Sequence, residues 1–232
     1  MERRGARSTT GEEARNPSPL ERGQFKIALC QLSVTFEKQR NLAHALHTIE
    51  ISVEQGAKLL VLPEMWNCPY SNDNFAKYAE DFDDEDASPS FSMLSQVASN
   101  QGITSVGQSV PEWNNGLSYN SCCVFRPDGK LRAKHRKIHL FDVYIPGDIL
   151  FKESDTLAAG NTPTIVDTDV GRIGIGICHD IRFPELAMLY GARGAHLICY
   201  PGAFNMSTGE LLWELFGKII ATSGHEETMA IA

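Results

Sequence analysis

The stretch FKIALCQLSVTFEKQRNLAHALHTIEISVEQGAKLLVLPE, residues 25–64, carries the reading that decides the fold. Its first ten residues form an apolar run of strand length. A helix-like stretch follows over 37–55 and stops at Gly56, a residue type suited to the position just past a helix end. KLLVLPE, residues 58–64, is a second buried strand, closed by Pro63. Two strands joined by one helix make a βαβ unit, which favours a parallel pair and a right-handed crossover.

The alternation continues outward from this unit. A helix is expected near 90–101 and a strand at ITSVGQSV (103–110). A hairpin is expected from LSYNSCCVFR (117–126) through Pro127-Asp128-Gly129 into KLRAKH. Residues 136–163 read as loop-rich, and PTIVDTDVGRIGIGIC (163–178) as a pair of strands. FPELAMLYGARG (183–194) reads as a helix, AHLICYPGAF (195–204) as a strand running into a loop, and ELLWELF (210–216) as a short helix. KIIATSGHEETMAIA (218–232) offers two more short strands. The acidic stretch DNFAKYAEDFDDED (73–86) reads as a solvated face or loop. Residues 1–24 are polar and expected to be a mobile tail, leaving 25–232 as one layered α/β domain. Glutamates at 2, 12, 13 and 21 interrupt the arginines of the tail, unlike an acid-poor transit peptide. The expected compartment is therefore the cytoplasm, with a plastid or mitochondrion as the alternative.

Composition bounds the function classes. The hydrophobic share of 42% over 232 residues supplies a real core. A formal charge of −8 argues against a nucleic-acid or membrane-surface partner, because phosphate binding needs a basic field. No apolar run approaches the roughly 20 residues of a membrane span. Of the six cysteines, Cys30, Cys122, Cys123, Cys178 and Cys199 lie in apolar, strand-like runs and Cys68 in a turn. With no C-x-x-C pair they read as free thiols in a reducing compartment. No C-x-x-C pair marks a zinc ribbon, and no metal is expected. The glycines form neither a dinucleotide fingerprint nor a Walker loop.

Three strand ends are the candidates for chemistry, because open α/β sheets place ligands there. Glu64 follows LLVLP and is either a solvated strand end or a buried acid suited to base work. The cations of RAKHRKIH (132–139) read as a solvated loop from which one lysine could turn inward. RIGIGICHD (172–180) is the most informative: Gly174 and Gly176 leave one strand face bare, open to another backbone or a ligand. Cys178 ends that strand, with Asp180 as a candidate N-cap for the helix over 183–193. The positive end of that helix would favour a thiolate. His179 adjoins Cys178, but neighbouring residues at such a turn point apart, so a Cys–His pair is not expected.

Glu64 in LPE, Lys137 in HRKIHLFD and Cys178 in GICHDIRFPEL resemble, in order and context, the motifs of the carbon–nitrogen hydrolase (nitrilase) superfamily. The resemblance runs continuously over about 25–216. It is nearest to the omega-amidase branch, through NCPYSN (67–72), HLFDVYIPG (139–147), FKESDTLAAG (151–160) and YPGAFNMSTG (200–209).

The resemblance implies a four-layer α-β-β-α sandwich and a homodimer or larger assembly. It also implies a Glu64–Lys137–Cys178 site without cofactor, acting on a small amide and water. Glu64 would be the general base, Cys178 the nucleophile that forms a thioester, and Lys137 the oxyanion partner, helped by the N–H of His179. Glu153 would orient Lys137 and the substrate, and Tyr70 would line the acyl pocket. The substrates would be ω-amides of short α-keto acids, 2-oxoglutaramate or 2-oxosuccinamate. The alternatives are another enzyme of the superfamily, such as a deaminated-glutathione amidase, carbamoyl-amine hydrolase or nitrilase. A non-catalytic form that associates with longer subunits is a further alternative. Two positions depart from the branch pattern. His179 stands where the branch typically has Tyr, and LLWELFG (211–217) runs straight into KIIATSGHEETMAIA, as after an internal deletion and a C-terminal truncation. The sandwich is therefore expected to be incomplete at its C-terminal end.

Overall fold

The computed structural model describes residues 24–147, 149–204 and 226–231. The opening βαβ unit forms as the sequence dictates. β1 (Lys26–Gln31) and β2 (Ala57–Val61) pair in parallel, joined by α1 (Lys38–Glu54). Leu42, Ala45 and Ile49 recur at helical spacing along α1 and bury one stripe against the sheet. After α2 (Asn72–Tyr78), α3 (Pro89–Gln101) packs beside α1 through Leu94, Val97 and Ala98, and starts with Pro89, whose missing N–H costs nothing there.

β3 (Thr104–Asn114) is longer than the run 103–110 suggests and passes through Pro111. Proline is tolerated because β2 pairs only with residues 104–106 of β3, and beyond them β3 pairs with β4 (Leu117–Phe125) on one edge. On the other edge only Glu80 bridges to it, donating its N–H to Pro111 O at 2.9 Å and accepting the Trp113 N–H at 2.8 Å, so the missing proline donor is not called on. Asn115 and Gly116 turn β3 into β4 with φ of 50° and 83°, the positive values that a two-residue hairpin demands. β5 (Leu131–Arg136) runs antiparallel to β4. The loop-rich region also holds structure: β6 (Asp142–Ile145) and β7 (Ile149–Lys152) form a two-stranded ribbon. Four residues each, they are too short to show a period. A three-residue 3₁₀ turn, Glu153–Asp155, ends the ribbon.

β8 (Thr164–Thr168), β9 (Gly171–Ile175) and β10 (Leu197–Cys199) make a three-stranded sheet, with α4 (Pro184–Ala192) between β9 and β10. The six-stranded sheet runs β11-β1-β2-β3-β4-β5, where β11 (Thr228–Ile231) lies antiparallel to β1 and is one of the two short C-terminal strands expected. The N-terminal tail to residue 23, the helix over 210–216 and the start of the C-terminal segment lie outside the described residues.

The layers stack as α-β-β-α. Leu60 of β2 faces α1 and α3, while its neighbour Leu59 faces the other way, into a core shared with Val106, Val124, Val166, Ile173 and Ile175. That second core joins the two sheets. On the outer face of the small sheet, Tyr190 of α4 lies over Gly174: a Cβ there would stand 2.6 Å from its ring. Tyr200 covers Gly176 in the same way, at 2.3 Å. The bare glycine strip thus admits two tyrosine rings, not a ligand or a backbone.

The acidic stretch is only partly solvated. Residues 83–86 are exposed, but Glu80 is fully buried and accepts hydrogen bonds from the Ser90 and Phe91 N–H groups at 2.9 and 3.2 Å. It caps α3 from a distance and pairs with Lys38 at 2.8 Å.

Candidate active site

Each sequence-predicted group reaches the site from the end of a strand or ribbon. Glu64 lies three residues past β2, Lys137 directly after β5, and Glu153 directly after β7. Cys178 opens a five-residue 3₁₀ turn, Cys178–Arg182, beyond the end of β9. Glu64 and Lys137 therefore come from the large sheet and Cys178 from the small one. All four side chains are buried.

Lys137 is the hub. Its ammonium donates to Glu64 Oε1 at 2.9 Å and to Glu153 at 3.0 Å (Oε1) and 2.9 Å (Oε2). Burial opposes its charge, but the Glu64 and Glu153 carboxylates hold its pKa above the usual lysine value. The chain fixes this lysine through its own backbone groups: its N–H donates to Asn120 O at 2.9 Å, and its carbonyl accepts from Gly160 N–H at 2.8 Å.

Glu64 is held by two further donors and approached by a third polar group. Asn120 Nδ2 donates to Oε1 at 2.8 Å, the Ala203 N–H to Oε2 at 3.1 Å, and the Tyr70 hydroxyl stands 3.4 Å from Oε1. Glu153 accepts the Tyr70 hydroxyl in a short hydrogen bond, and the Phe141 N–H at 2.6 Å. Burial first, then Glu64, push the Glu153 carboxyl above its ordinary range, against the pull of Lys137.

The Glu64 carboxylate and the Ala203 N–H both act on the Cys178 thiol. Its own N–H donates to Pro201 O at 2.7 Å, and its φ of 46° is uncommon for a residue with a side chain. Burial, then Glu64, push the thiol well above its usual value despite Lys137. The thiolate expected from a helix dipole is therefore corrected: Cys178 leads into a short 3₁₀ turn rather than a helix, and the resting group is a thiol beside a carboxylate. His179, the second residue of that turn, has no acceptor for its N–H within it. Its ring turns away, with Nδ1 3.0 Å from Leu140 O and edge-on contacts to Phe141 and Phe183.

Asp180 is not the cap of α4; Phe183 holds that position. Asp180 is fully buried and accepts from the Ile177 N–H at 2.9 Å, the His139 N–H at 2.8 Å and His139 Nδ1 at 2.7 Å. His135 Nε2 lies 3.4 Å away. Asp180 thereby ties the turn that Cys178 opens to the segment after Lys137. The other cations of 132–139 are not a solvated loop either. Lys134 and Arg136 lie on β5 and both engage the buried carboxylate of Glu112, Arg136 at 2.7 Å.

Sequence reasoning missed Asn120 and the N–H groups of Phe141 and Ala203. Asn120 carries one signal: it is polar on a strand whose neighbours from Ser121 to Phe125 are all buried. Backbone donors carry none. The family resemblance puts Tyr70 on the wall of an acyl pocket, and its hydroxyl stands between two carboxylates. Among the described residues, no group of three or more His, Cys, Asp or Glu side chains could hold a metal ion. Nor, among them, is any helix long and apolar enough to cross a membrane. The six cysteines are free thiols.

The carbon-nitrogen hydrolase family model matches residues 26–225. The chloroplastic omega-amidase of Arabidopsis thaliana is 61% identical over 223 residues, 94% of this chain and 60% of that protein. The omega-amidase NIT2-A of Xenopus laevis is 47% identical over 195 residues, 84% of this chain and 69% of that protein. Among solved structures, Nit3 of Saccharomyces cerevisiae, a member of branch 10 of the nitrilase superfamily, matches with a TM-score of 0.74 and 43% identity. That match covers 82% of this chain and 69% of Nit3. The chain spans about 60% of the length of the Arabidopsis relative.

Proposed function

The chain belongs to the carbon–nitrogen hydrolase family, and on that premise we propose that it is an amidase for the ω-amides of short α-keto dicarboxylic acids, 2-oxoglutaramate and 2-oxosuccinamate. The observation that carries the reading is Lys137 bridging Glu64 and Glu153 beside a buried thiol. The omega-amidase names of the relatives support the choice of amide.

Glu64 takes the Cys178 proton as the sulfur attacks the amide carbon. The oxyanion that forms lies between the Lys137 ammonium and the His179 N–H. A preorganised donor of this kind contributes on the order of 10²–10³ in rate. Glu64 returns its proton to the nitrogen, the C–N bond breaks, ammonia leaves, and a thioester on Cys178 remains. Glu64 then deprotonates a water that attacks the thioester. The carboxylic acid departs and the thiol re-forms with that proton. Glu153 stays ionised as the second counter-charge of Lys137.

Incubating the purified chain with a panel of amides tests this reading. Ammonia release from 2-oxoglutaramate, abolished by Cys178→Ala, and an acyl mass adduct on Cys178 are the expected results. Turnover confined to carbamoyl amines or nitriles would replace the substrate assignment. No ammonia from any amide would remove the reading.

A further inference from the structure

Two buried carboxylates share one lysine in this site, yet the proposed chemistry needs only one of them to exchange a proton with Cys178. Something must assign the roles. Both Glu64 and Glu153 accept from Lys137 at about the same distance, 2.9 and 3.0 Å, so the lysine does not discriminate. The Tyr70 hydroxyl does. It stands between the two groups, has a single proton, and gives it to Glu153 in a short hydrogen bond. Glu64 Oε1, an acceptor already served by Lys137 and Asn120, is the more distant of its two carboxylate neighbours, at 3.4 Å.

We propose that the Tyr70 hydroxyl assigns the base role: by donating to Glu153 it keeps that carboxylate ionised beside Lys137 and leaves Glu64 to exchange the proton with Cys178. Tyr70 is thus a positioning residue, and the inference rests on the amidase reading of the same site. The groups facing Glu153 are Lys137 from the end of β5, Glu64 from beyond β2, Tyr70 from the turn before α2, and the Phe141 N–H from before β6. Burial and Glu64 favour a proton on Glu153, while Lys137 and Tyr70 oppose it. Removing one opposing donor lets Glu153 compete for the proton, and Lys137 then loses part of its counter-charge. Tyr70 itself remains a phenol, since burial and the two carboxylates push its ionisation well above the ordinary range.

Tyr70→Phe is the test, because the ring keeps its edge contact with Phe75 at 5.3 Å and its packing on Phe151 at 5.8 Å. Two readouts are taken across pH: kcat and KM for ammonia release, and the rate of Cys178 alkylation by iodoacetamide. The acid-side limb of both moves up by about one pH unit, as expected for one lost charge-assisted hydrogen bond. At neutral pH kcat falls about tenfold with KM within twofold of the parent. A 3,5-difluorotyrosine at position 70, a stronger donor of nearly the same shape, moves the limb the opposite way and keeps the test open if Tyr70→Phe does not fold. An unchanged limb in the folded variants, or a raised KM at parental kcat, overturns the proposal and returns Tyr70 to a wall of the acyl pocket. If the parent releases no ammonia but its alkylation limb shifts as described, the amidase reading fails and the role of Tyr70 stands.

Discussion

Lys137 Nζ lies 2.9 Å from Glu64 Oε1, and neither side chain is reached by solvent. A pair in that setting is costly to break from one side. Lys137→Met leaves two buried carboxylates without their cation, and a one-sided loss of this kind destabilises by about 3–5 kcal/mol. Urea unfolding of the variant should show a midpoint lowered accordingly, and ammonia release should be undetectable. A variant with parental stability would mean that water or another cation reaches the pair.

Cys178 carries a positive φ on a residue with a Cβ. Cys178→Ala and Cys178→Gly are both expected to be inactive, but they should differ in stability. Glycine relieves the left-handed conformation, so Cys178→Gly should be more stable than Cys178→Ala by about 1 kcal/mol. Equal midpoints in thermal unfolding would show that the turn is not strained.

Asp180 lets the acid limb of stability be assigned. Burial raises its carboxyl, but hydrogen bonds from His135, Ile177 and His139 outweigh that and bring it below the ordinary range. Its folded value being depressed, Asp180 stabilises above the unfolded value of about 3.9 and loses this as pH falls through the folded value. Asp180→Asn should cost about 2 kcal/mol at pH 7, since two N–H groups lose a charged acceptor. The gap between parent and variant should close below about pH 4. A gap that is constant from pH 7 to about pH 3 contradicts the assignment.

Gly160 sits where a backbone carbonyl leaves no room. A Cβ there would lie 2.2 Å from Arg136 O, a backbone atom that cannot swing away. Since the Gly160 N–H holds the Lys137 carbonyl, Gly160→Ala should displace the lysine as well as strain the loop. The expected cost is about 2 kcal/mol in stability, with kcat reduced and Cys178 alkylation slowed. A variant with parental kcat would show that the Lys137 peptide has slack.

The contrast between Glu64 and Glu80 shows what was legible in the sequence. Glu64 follows an uninterrupted apolar run closed by Pro63, so its place at the sheet rim is readable from that run. Glu80 lies in an acidic run that looks solvated, and its burial depends on the start of α3 about ten residues later. The same division separates Cys178 from Asp180. The strand pattern places the thiol at a rim, whereas the partners of Asp180 come from a segment about forty residues earlier. Lys137 stands out only through its motif context, because Lys134 and Arg136 in the same run turn to a different acid, Glu112. Motifs shared with the family make the set Glu64, Lys137, Glu153 and Cys178 readable. The donors that orient them are not, because Asn120 is one polar residue on a strand and the Phe141 and Ala203 amides have no side-chain signature.

The two sheets meet through a core of small and branched apolar side chains, and the site draws Glu64 from one sheet and Cys178 from the other. Under the proposed chemistry, turnover is consequently a gauge of interlayer docking. A slip between the sheets of an ångström or two would leave every strand hydrogen-bonded and the far-ultraviolet spectrum unchanged, yet would part Glu64 from Cys178. Heating should therefore extinguish activity before it melts secondary structure, and the interval between the two temperatures measures how firmly one layer grips the other.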